Sequence, residues 1–499
     1  MNSPVDNLLK QLLQFDKSGS QPVYIQIAQQ IVNAIQRGYI STGSALPGTR
    51  VLSQILKIHR NTVVAVYDEL ASQGWVEIVP NKGTFVLKPE QTTAKIKANA
   101  QHINSAYDYS SKTGFPFQPS FNLATSVQEI NAKFRINEGS PDLRLHPVHQ
   151  FSRWYSAVMK RKPLVNKWNN STNSIFETQL CNYLNATRGF HIKPNNLIST
   201  RSTEMSLYIV SQLLIKQNDV VLVGHLSNYA SNMIFQQAGA TLKTIPVDAD
   251  GIDVDYIKTH FAKGSIRSVY VCANRHYPTT VTLSAKRRLK LLELAKAYQF
   301  AIIEDDYDYD FQYEGSAMLP MASADANGMV IYLGKLGQSL FPSFQVGFVV
   351  APENLISEAK NYLQLLDKQG DIIQEQILSE LIHEGEISRL LKKNIVVYKQ
   401  RRDCLCRLLK KHFDGIVTWH IPSGGLAIWL QFETKISLVK LAEEADKNDL
   451  YLPKTLLYQD RETCAIRFGF GHLDEEEIEH VAKKLKSAYD VVSSDYIEE

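Results

Sequence analysis

The sequence lacks the features that mark secreted, membrane-spanning or metal-bound proteins. Its five cysteines are scattered over 499 residues without a C-x-x-C pair, so it predicts neither a disulfide framework nor a zinc site. No run approaches the ~18 apolar residues of a membrane span. The start of the chain lacks the basic and unbroken apolar segments of a signal peptide. With a net charge of only +3, the chain is neither a polycation nor an acidic tail protein. We expect a cytoplasmic protein with reduced thiols and no membrane partner.

Three stretches of different character divide the chain. Residues 20–88 are dense in short apolar periods, which is typical of a small helical domain. Residues 89–130 are poor in aliphatic side chains and rich in Lys, Gln, Thr, Asn, Ser and Ala, so they are predicted to be a linker. From 131 to 490, strand-like runs alternate with helical patterns. That alternation predicts an α/β domain with a mostly parallel sheet.

The first stretch has the pattern of a winged helix-turn-helix. Apolar spacing predicts helices over 23–37 and 50–56, and a third that begins near Asn61 and ends at Gly74. Two β runs, 76–79 and 84–87, flank a tip that contains Lys82. Eight basic against six acidic residues in 1–90 give a weak field, so charge alone does not establish DNA binding. A small helical domain with a polar surface remains the alternative at this point.

The start of the third helix carries donors that suit the major groove of DNA. His59, Arg60, Asn61 and Thr62 lie on the face that the apolar residues leave free. An arginine can read guanine there and an asparagine can read adenine. Lys82 on the wing tip suits a phosphate or the minor groove.

Residues 46–86 resemble the DNA-binding domain of the GntR family of bacterial regulators. The segment LPGTRVLSQILKIHRNTVVAVYDELASQGWVEIVPNKGTFV carries this resemblance over about forty residues. His59 stands where that family usually has Ser or Thr, which we expect to weaken a helix cap. Asn81-Lys82-Gly83 replaces the commoner Gly-x-Gly, so a different wing geometry is expected. The resemblance implies that double-stranded operator DNA is contacted by Arg50, His59, Arg60, Asn61, Thr62, Lys82, Gly83 and Thr84.

The α/β stretch places polar residues where ligands gather in open sheets. A short apolar strand, 300–304, is followed by Asp305-Asp306-Tyr307-Asp308, and another, 330–334, leads to Lys335. Hydroxyl residues of the segment 200–203 precede a helix that starts at Glu204, which suits a phosphate. Each feature alone is weak, because hydroxyl residues before helices are usually only caps and acidic runs after strands are usually solvated.

Five blocks together resemble the MocR group, in which a GntR-type domain is fused to a fold type I aminotransferase-like domain. The blocks are 136–147, 275–295, 304–313, 330–352 and 466–478, and the resemblance covers almost the whole chain apart from the linker. It implies a mostly parallel central sheet with a smaller C-terminal α+β subdomain. It also implies a head-to-tail homodimer and pyridoxal 5'-phosphate as the cofactor.

The resemblance assigns cofactor roles to matching positions. It implies that Asp305 pairs with the pyridine nitrogen, that Tyr307 bonds the ring oxygen and that Tyr229 packs on the ring. It implies that Arg467 takes the carboxylate of an effector or substrate. The other positions that it places at the cofactor are Ser202, Thr203, Tyr277, Lys335, Gln338 and Gln345.

Several of these positions depart from the family pattern. Gln338 stands at the lysine that forms the Schiff base, and a carboxamide nitrogen is not a nucleophile. Gln345 replaces the arginine that clamps the phosphate, and Lys335 replaces a hydroxyl residue. Arg201 and Thr280 stand where the family has glycines.

Four interpretations of the departures are open from the sequence. Lys335 and Arg201 could be compensating cations that hold pyridoxal phosphate without a covalent bond, or Lys335 itself could reach the aldehyde. The pocket could instead sense a different ligand, or the domain could serve only as a dimerisation scaffold. We expect a DNA-binding transcriptional regulator that senses a small molecule and has no catalytic residues. The alternative is a pyridoxal-phosphate-dependent aminotransferase with an appended DNA-binding domain.

Overall fold

A computed structural model describes most of the chain. The described residues are 9, 13, 15, 22–37, 39–79, 82–87, 113–116, 132–160, 174–316, 318–337, 340, 344–368, 370–433 and 435–495. The predicted linker, 89–130, lies outside them except for 113–116. Two compact units divide between Asn131 and Ala132, and the short segment Gln459–Thr463 is grouped with the first. Among the described helices, none combines the length and the apolar character that crossing a membrane requires.

The amino-terminal unit contains three helices and a hairpin. These are α1 (Val23–Gln36), α2 (Thr49–Leu56), α3 (Arg60–Ser72), β1 (Val76–Val79) and β2 (Gly83–Val86). The predicted helices and strands are found, with ends shifted by one residue or so, as is usual at element ends. Ile27 and Ile31 of α1 and Leu70 of α3 are fully buried, so the apolar stripes of the helices form the core.

The large unit is built on a seven-stranded sheet. Its strands are β4 (Leu197–Thr200), β5 (Val220–Gly224), β6 (Thr241–Ile245), β9 (Ser268–Val271), β10 (Ala301–Asp306), β11 (Val330–Leu336) and β12 (Val346–Val350). Two short strands, β7 (Val247–Asp248) and β8 (Gly251–Ile252), pair separately, as do β3 (Phe134–Arg135) and β15 (Leu450–Tyr451). The order of the large sheet is β4-β12-β11-β10-β9-β5-β6, and β12 runs antiparallel to both neighbours. The predicted mostly parallel sheet is therefore confirmed.

Helices cover both faces of this sheet. They are α4 (Val148–Met159), α5 (Ser174–Arg188), α6 (Thr203–Leu214), α7 (Tyr229–Gln237), α8 (Val254–His260), α9 (Ala285–Tyr298), α10 (Glu353–Leu366) and α11 (Ile372–His383). The side chains of β11 alternate between the two faces: Leu333 packs with α6, and Leu336 packs with α5 and α11. A strand covered on both faces is apolar along nearly its whole length, as this one is.

The carboxyl-terminal part forms a smaller α+β subdomain. A four-stranded sheet has the order β13 (Val417–Thr418), β14 (Ala427–Phe432), β17 (Cys464–Gly469) and β16 (Leu457–Gln459). Its helices are α12 (Glu386–Phe413), α13 (Leu438–Lys447) and α14 (Glu475–Asp495). The hydrophobic cores of this subdomain and of the large sheet are separate clusters.

Two strands extend further than the sequence predicts. Asp305 and Asp306 belong to β10, where they pair with Leu333 and Gly334, instead of following the strand. Lys335 likewise belongs to β11, because the antiparallel partner β12 continues the ladder through the pair Lys335–Gly347. The prediction that these residues lie in loops after the strands was wrong. Pairing with neighbours distant in sequence extends a strand beyond its apolar run.

Candidate DNA-binding surface and ligand pocket

The exposed face of α3 carries the donors that the sequence singled out. Arg60 and Asn61 are exposed at its first turn, and Thr62 is half-buried. Val64 lies one turn further on and is 38% exposed, although it is apolar. Sequence reasoning missed Val64, whose position beside Arg60 and Asn61 is the available signal. An apolar side chain on such a face suits the methyl group of thymine.

The start of α3 is fixed by its own polar side chains. His59 is the N-cap residue, and its ring Nδ1 accepts a hydrogen bond from the Asn61 amide at 3.3 Å. A histidine therefore does cap this helix, over a longer distance than is usual for a hydrogen bond between N–H and an acceptor. The Arg60 Nε donates to the Thr49 hydroxyl of α2 at 3.2 Å. This bond ties the two helices together at the turn between them.

The remaining predicted contacts are distributed over α2 and the wing. Arg50 in the first turn of α2 is exposed, as are Lys82 and Gly83 at the hairpin. Thr84 differs, because its side chain is only 6% exposed and its carbonyl accepts from the Leu46 amide at 2.8 Å. Its side chain therefore offers little surface to DNA, and its place in the hairpin is structural.

The ligand site suggested by the sequence is centred on Asp305 of β10. Its Oδ2 accepts a hydrogen bond from the Tyr270 hydroxyl on β9 at 2.6 Å, and that hydroxyl also lies 3.0 Å from the Ser231 hydroxyl on α7. Sequence reasoning missed Tyr270 because it lies on a neighbouring strand 35 positions away. This chain of hydroxyls fixes Asp305 relative to α7, the helix that Tyr229 begins.

The second carboxylate oxygen of Asp305, Oδ1, shows whether a pyridine ring fits at this site. The residue is 8% exposed, and its Oδ1 is buried without a hydrogen-bond partner in the described part of the chain. An unpaired buried acceptor costs free energy unless a donor reaches it. Burial raises the pKa of Asp305 to about 6, and the Tyr270 hydroxyl and the Lys335 ammonium oppose this shift. A protonated ring nitrogen is a donor of the required kind, so the residues present fit the ring.

Aromatic side chains and one arginine form a second cluster near the pocket. The Arg467 guanidinium lies over the ring of Tyr277 at 4.6 Å and over that of Tyr307 at 5.7 Å. It donates to the carbonyls of Glu138 and Pro278, both at 2.9 Å, and to the Tyr307 hydroxyl at 3.3 Å. Arg467 is only 2% exposed. An effector carboxylate would therefore have to replace some of these partners.

The amino-terminal end of α6 is capped as the sequence suggests. Ser202 is the N-cap residue, and its Oγ accepts from the Met205 amide at 3.2 Å, while Thr203 begins the helix half-buried. Arg201 forms an ion pair with Asp367 at 2.5 Å and also donates to the Gly370 carbonyl at 3.0 Å. Its charge is already engaged, so the interpretation of Arg201 as a compensating cation is not supported by the geometry.

The remaining positions of the predicted site are only partly described. Lys335 and Gln345 are half-buried, and the Gln345 carbonyl accepts from the Gln374 amide group at 3.1 Å. Gln338 lies outside the described residues, so the replacement of the family's lysine is known from the sequence alone. The structure thus brings Asp305, Tyr270 and α7 together and places Arg467 with Tyr277 and Tyr307.

These features define a class of protein: a winged helix-turn-helix joined to a fold type I aminotransferase domain. Family models agree with this description. Residues 23–86 match the model described as "Bacterial regulatory proteins, gntR family", and residues 148–485 match "Aminotransferase class I and II". The chain therefore belongs to the class I and II aminotransferase family and carries a GntR-type domain ahead of it.

Similar proteins extend over nearly the whole chain. The "Probable rhizopine catabolism regulatory protein MocR" of Rhizobium meliloti is 24% identical and covers 96% of each chain. The "Uncharacterized HTH-type transcriptional regulator YisV" of Bacillus subtilis is 24% identical over 92% of this chain and 94% of its own length. Among solved structures, an archaeal alanine:glyoxylate aminotransferase matches with a TM-score of 0.67 and 26% identity. It covers 73% of this chain and 92% of its own.

Proposed function

We propose that the protein is a DNA-binding transcriptional regulator whose aminotransferase-like domain dimerises and senses a small molecule. The exposed donors at the start of α3 carry the DNA-binding part of the proposal. Two relatives that match over 96% and 92% of this chain bear names of regulators. Ligand binding in the large domain would shift a conformational equilibrium and so change how the two DNA-binding domains engage paired half-sites.

A footprint tests the DNA-binding part. Full-length protein should protect a site with two related half-sites upstream of its own or a neighbouring gene. The affinity for that site should exceed the affinity for unrelated DNA by about 10³ or more. Protection of no site, under conditions in which the protein is folded, would refute the proposal.

The proposed ligand site is the pocket around Asp305. When bound, pyridoxal phosphate would supply an electron-accepting ring, which Asp305 would hold through its ring nitrogen. Tyr229 at the start of α7 would pack on the ring, and Tyr307 would bond its oxygen. Because Gln338 offers no nucleophilic amine, the ligand would be held without a covalent bond at that position.

The glutamine at position 338, where the family has its Schiff-base lysine, also argues against the aminotransferase alternative. A lysine at position 338 would have to attach the cofactor and move protons, and a carboxamide does neither. The test is amino-donor turnover with added pyridoxal phosphate, together with the visible spectrum and borohydride reduction followed by peptide mapping. We expect no turnover and no trapped cofactor. Turnover that is lost in Lys335→Ala would favour the enzyme.

Exposed apolar side chains support a homodimer. Met159 at the end of α4 is 60% exposed, and Leu365 and Leu366 at the end of α10 are 84% and 48% exposed. The two leucines immediately precede Asp367, the partner of Arg201 at the start of α6. In a monomer these side chains would face water, whereas a second copy of the chain would cover them. The dimer would then form beside the proposed pocket.

A further inference from the structure

One positive charge near the pocket has no role in the function proposed above. Along β11, every second residue lies on the same face of the sheet. Leu333 packs with α6, and Lys335, two residues further on, belongs to the same face. Asp305 on β10 lies on this face as well, because Ile303, two residues before it, packs in the same hydrophobic core as Leu333. The Lys335 side chain therefore leaves the sheet on the side that holds Asp305.

Register gives the spacing between the two charged residues. Asp305 pairs with Leu333 in the parallel ladder, so Lys335 lies one strand across and two residues along. Strand geometry puts the two Cα atoms about 8 Å apart, which leaves room for a ligand between their side chains. The ammonium acts on Asp305 by lowering its pKa against the effect of burial. No described carboxylate forms an ion pair with Lys335.

The amino-terminal end of α6 borders the same space. Lys335 pairs with Gly347 of β12, and Gly347 pairs with Thr200 at the end of β4. A Cβ atom on Gly347 would lie 2.3 Å from the Ser202 carbonyl carbon, so this strand is in close contact with the N-cap of α6. The first amides of a twelve-residue helix favour an anion. The helix end and the ammonium thus flank one small region.

The other charges near the helix end do not cancel this arrangement. Arg201 is paired with Asp367, and Gln345, at the family's phosphate arginine, is neutral. Glu204 in the first turn of α6 opposes the effect of Lys335 on the pKa of Asp305, but it is exposed to water and salt, which screen its charge, whereas Lys335 is half-buried. A half-buried ammonium attracts an anion more strongly than an exposed one.

We propose that Lys335 and the first turn of α6 form an anion subsite for the phosphate of a pyridine ligand whose ring nitrogen pairs with Asp305. The pocket thereby selects the phosphorylated ligand over its unphosphorylated form and holds it by ion pairing instead of a covalent bond. Lys335 supplies the charge that Gln345 lacks. This inference rests on the proposed function, which puts a ligand in the same pocket.

The test compares two probes on the full-length protein. Pyridoxal phosphate and unphosphorylated pyridoxal are titrated by equilibrium dialysis, and the ratio of their affinities is recorded. The wild type should prefer the phosphorylated probe by about tenfold or more, the effect of one charge-assisted contact. Lys335→Met should reduce this ratio towards one, and Lys335→Arg should retain the preference. Lys216→Met, which removes an exposed lysine two residues beyond the carboxyl-terminal end of α6, is the matched control and should retain it as well.

A second variant distinguishes lost charge from local damage. Gln345→Arg added to Lys335→Met should restore the preference for the phosphorylated probe, because it returns a cation to the subsite. An unchanged affinity ratio in Lys335→Met would overturn the inference. So would borohydride trapping of either probe on Lys335, or the absence of binding by both probes. Operator binding, measured on the same preparations, decides the regulatory function separately, because it depends on α3 and not on this subsite.

Discussion

At the residue scale, the contrast between Arg60 and Lys82 separates sequence readout from phosphate binding. Arg60 leads the exposed face of α3, whereas Lys82 is exposed on the hairpin. Arg60→Ala should cost about 1–3 kcal/mol of discrimination at one base pair of the operator. Lys82→Ala should weaken binding to all sequences alike and reduce the salt slope by about one. Both are measured by titrating operator and mismatched duplexes at several salt concentrations.

The outcome for Arg60 tests the placement of the recognition helix. If Arg60→Ala binds operator and mismatched DNA as the wild type does, α3 does not read the groove through this residue. Loss of the Arg60–Thr49 hydrogen bond is a second consequence of the change. Thr49→Val, which removes only that bond, is the control for it and should retain most of the discrimination.

Residue identity also explains which parts of the pocket could be predicted. Asp305 was predicted because a carboxylate follows an apolar strand run, which is a local signal. Tyr270 and the partnership of Arg201 with Asp367 were not found, because the partners lie 35 and 166 positions away. Arg467 was predicted from the resemblance, but its enclosure by Tyr277 and Tyr307 was not. Side-chain type is local information, whereas engagement of its charge depends on distant neighbours.

At the element scale, the turn between β9 and α9 contains a strained residue. Thr280 has φ of +63°, and its amide donates to the His276 carbonyl at 2.7 Å. A β-branched residue in this left-handed region costs roughly 1–2 kcal/mol, which a glycine avoids. The family's glycine at this position is therefore explained by backbone geometry.

Substitution of Thr280 measures this strain. Thr280→Gly should be more stable to urea than Thr280→Ala by about 1 kcal/mol, because alanine keeps the Cβ atom and loses the same hydroxyl. In an unstrained position the order is the reverse, since glycine is the more flexible in the unfolded chain. A glycine variant less stable than the alanine variant would show that the turn is not strained.

The packing of α11 against the sheet makes stability depend on pH. Burial raises the pKa of Glu375 to about 7 from 4.5, with contributions from Glu177 and Asp371, against a hydrogen bond from Ser199. The folded protein then holds this proton more tightly than the unfolded chain does. Stability supplied by the protonated form is complete below about pH 4.5 and is lost as the pH rises through about 7.

A neutral side chain at this position should remove that dependence. Glu375→Gln should flatten the decline of the melting temperature of the large domain between about pH 5 and 7, since the amide cannot ionise. The amide oxygen can still accept from Ser199. Glu358→Gln, on an exposed position of α10, is the control and should leave the slope as it is. An equal slope in Glu375→Gln and the wild type would contradict the argument.

At the scale of the whole molecule, the proposed dimer can be tested through the exposed leucines at the end of α10, Leu365 and Leu366. Leu365→Glu combined with Leu366→Glu should yield monomers by light scattering, because two charges would have to be buried in the interface. The affinity for operator DNA should fall when the dimer is lost, since paired half-sites need two linked DNA-binding domains. Val396→Glu, at another exposed apolar position on α12, is the control and should remain dimeric. A dimeric double variant would exclude this patch.

The sequence by itself determined the helices, the hairpin and the alternation of the large domain. These follow from the spacing of apolar residues, such as Val63, Val66 and Leu70, which needs only neighbours along the chain. Only the tertiary structure decided that Lys335 lies in a strand on the face of Asp305, and that Arg201 is engaged elsewhere. The first fact depends on which strands pair across the sheet, and the second on the contact between the end of α10 and the residue before α6. The pairing is set by crossovers between distant segments, and local periodicity carries no record of it.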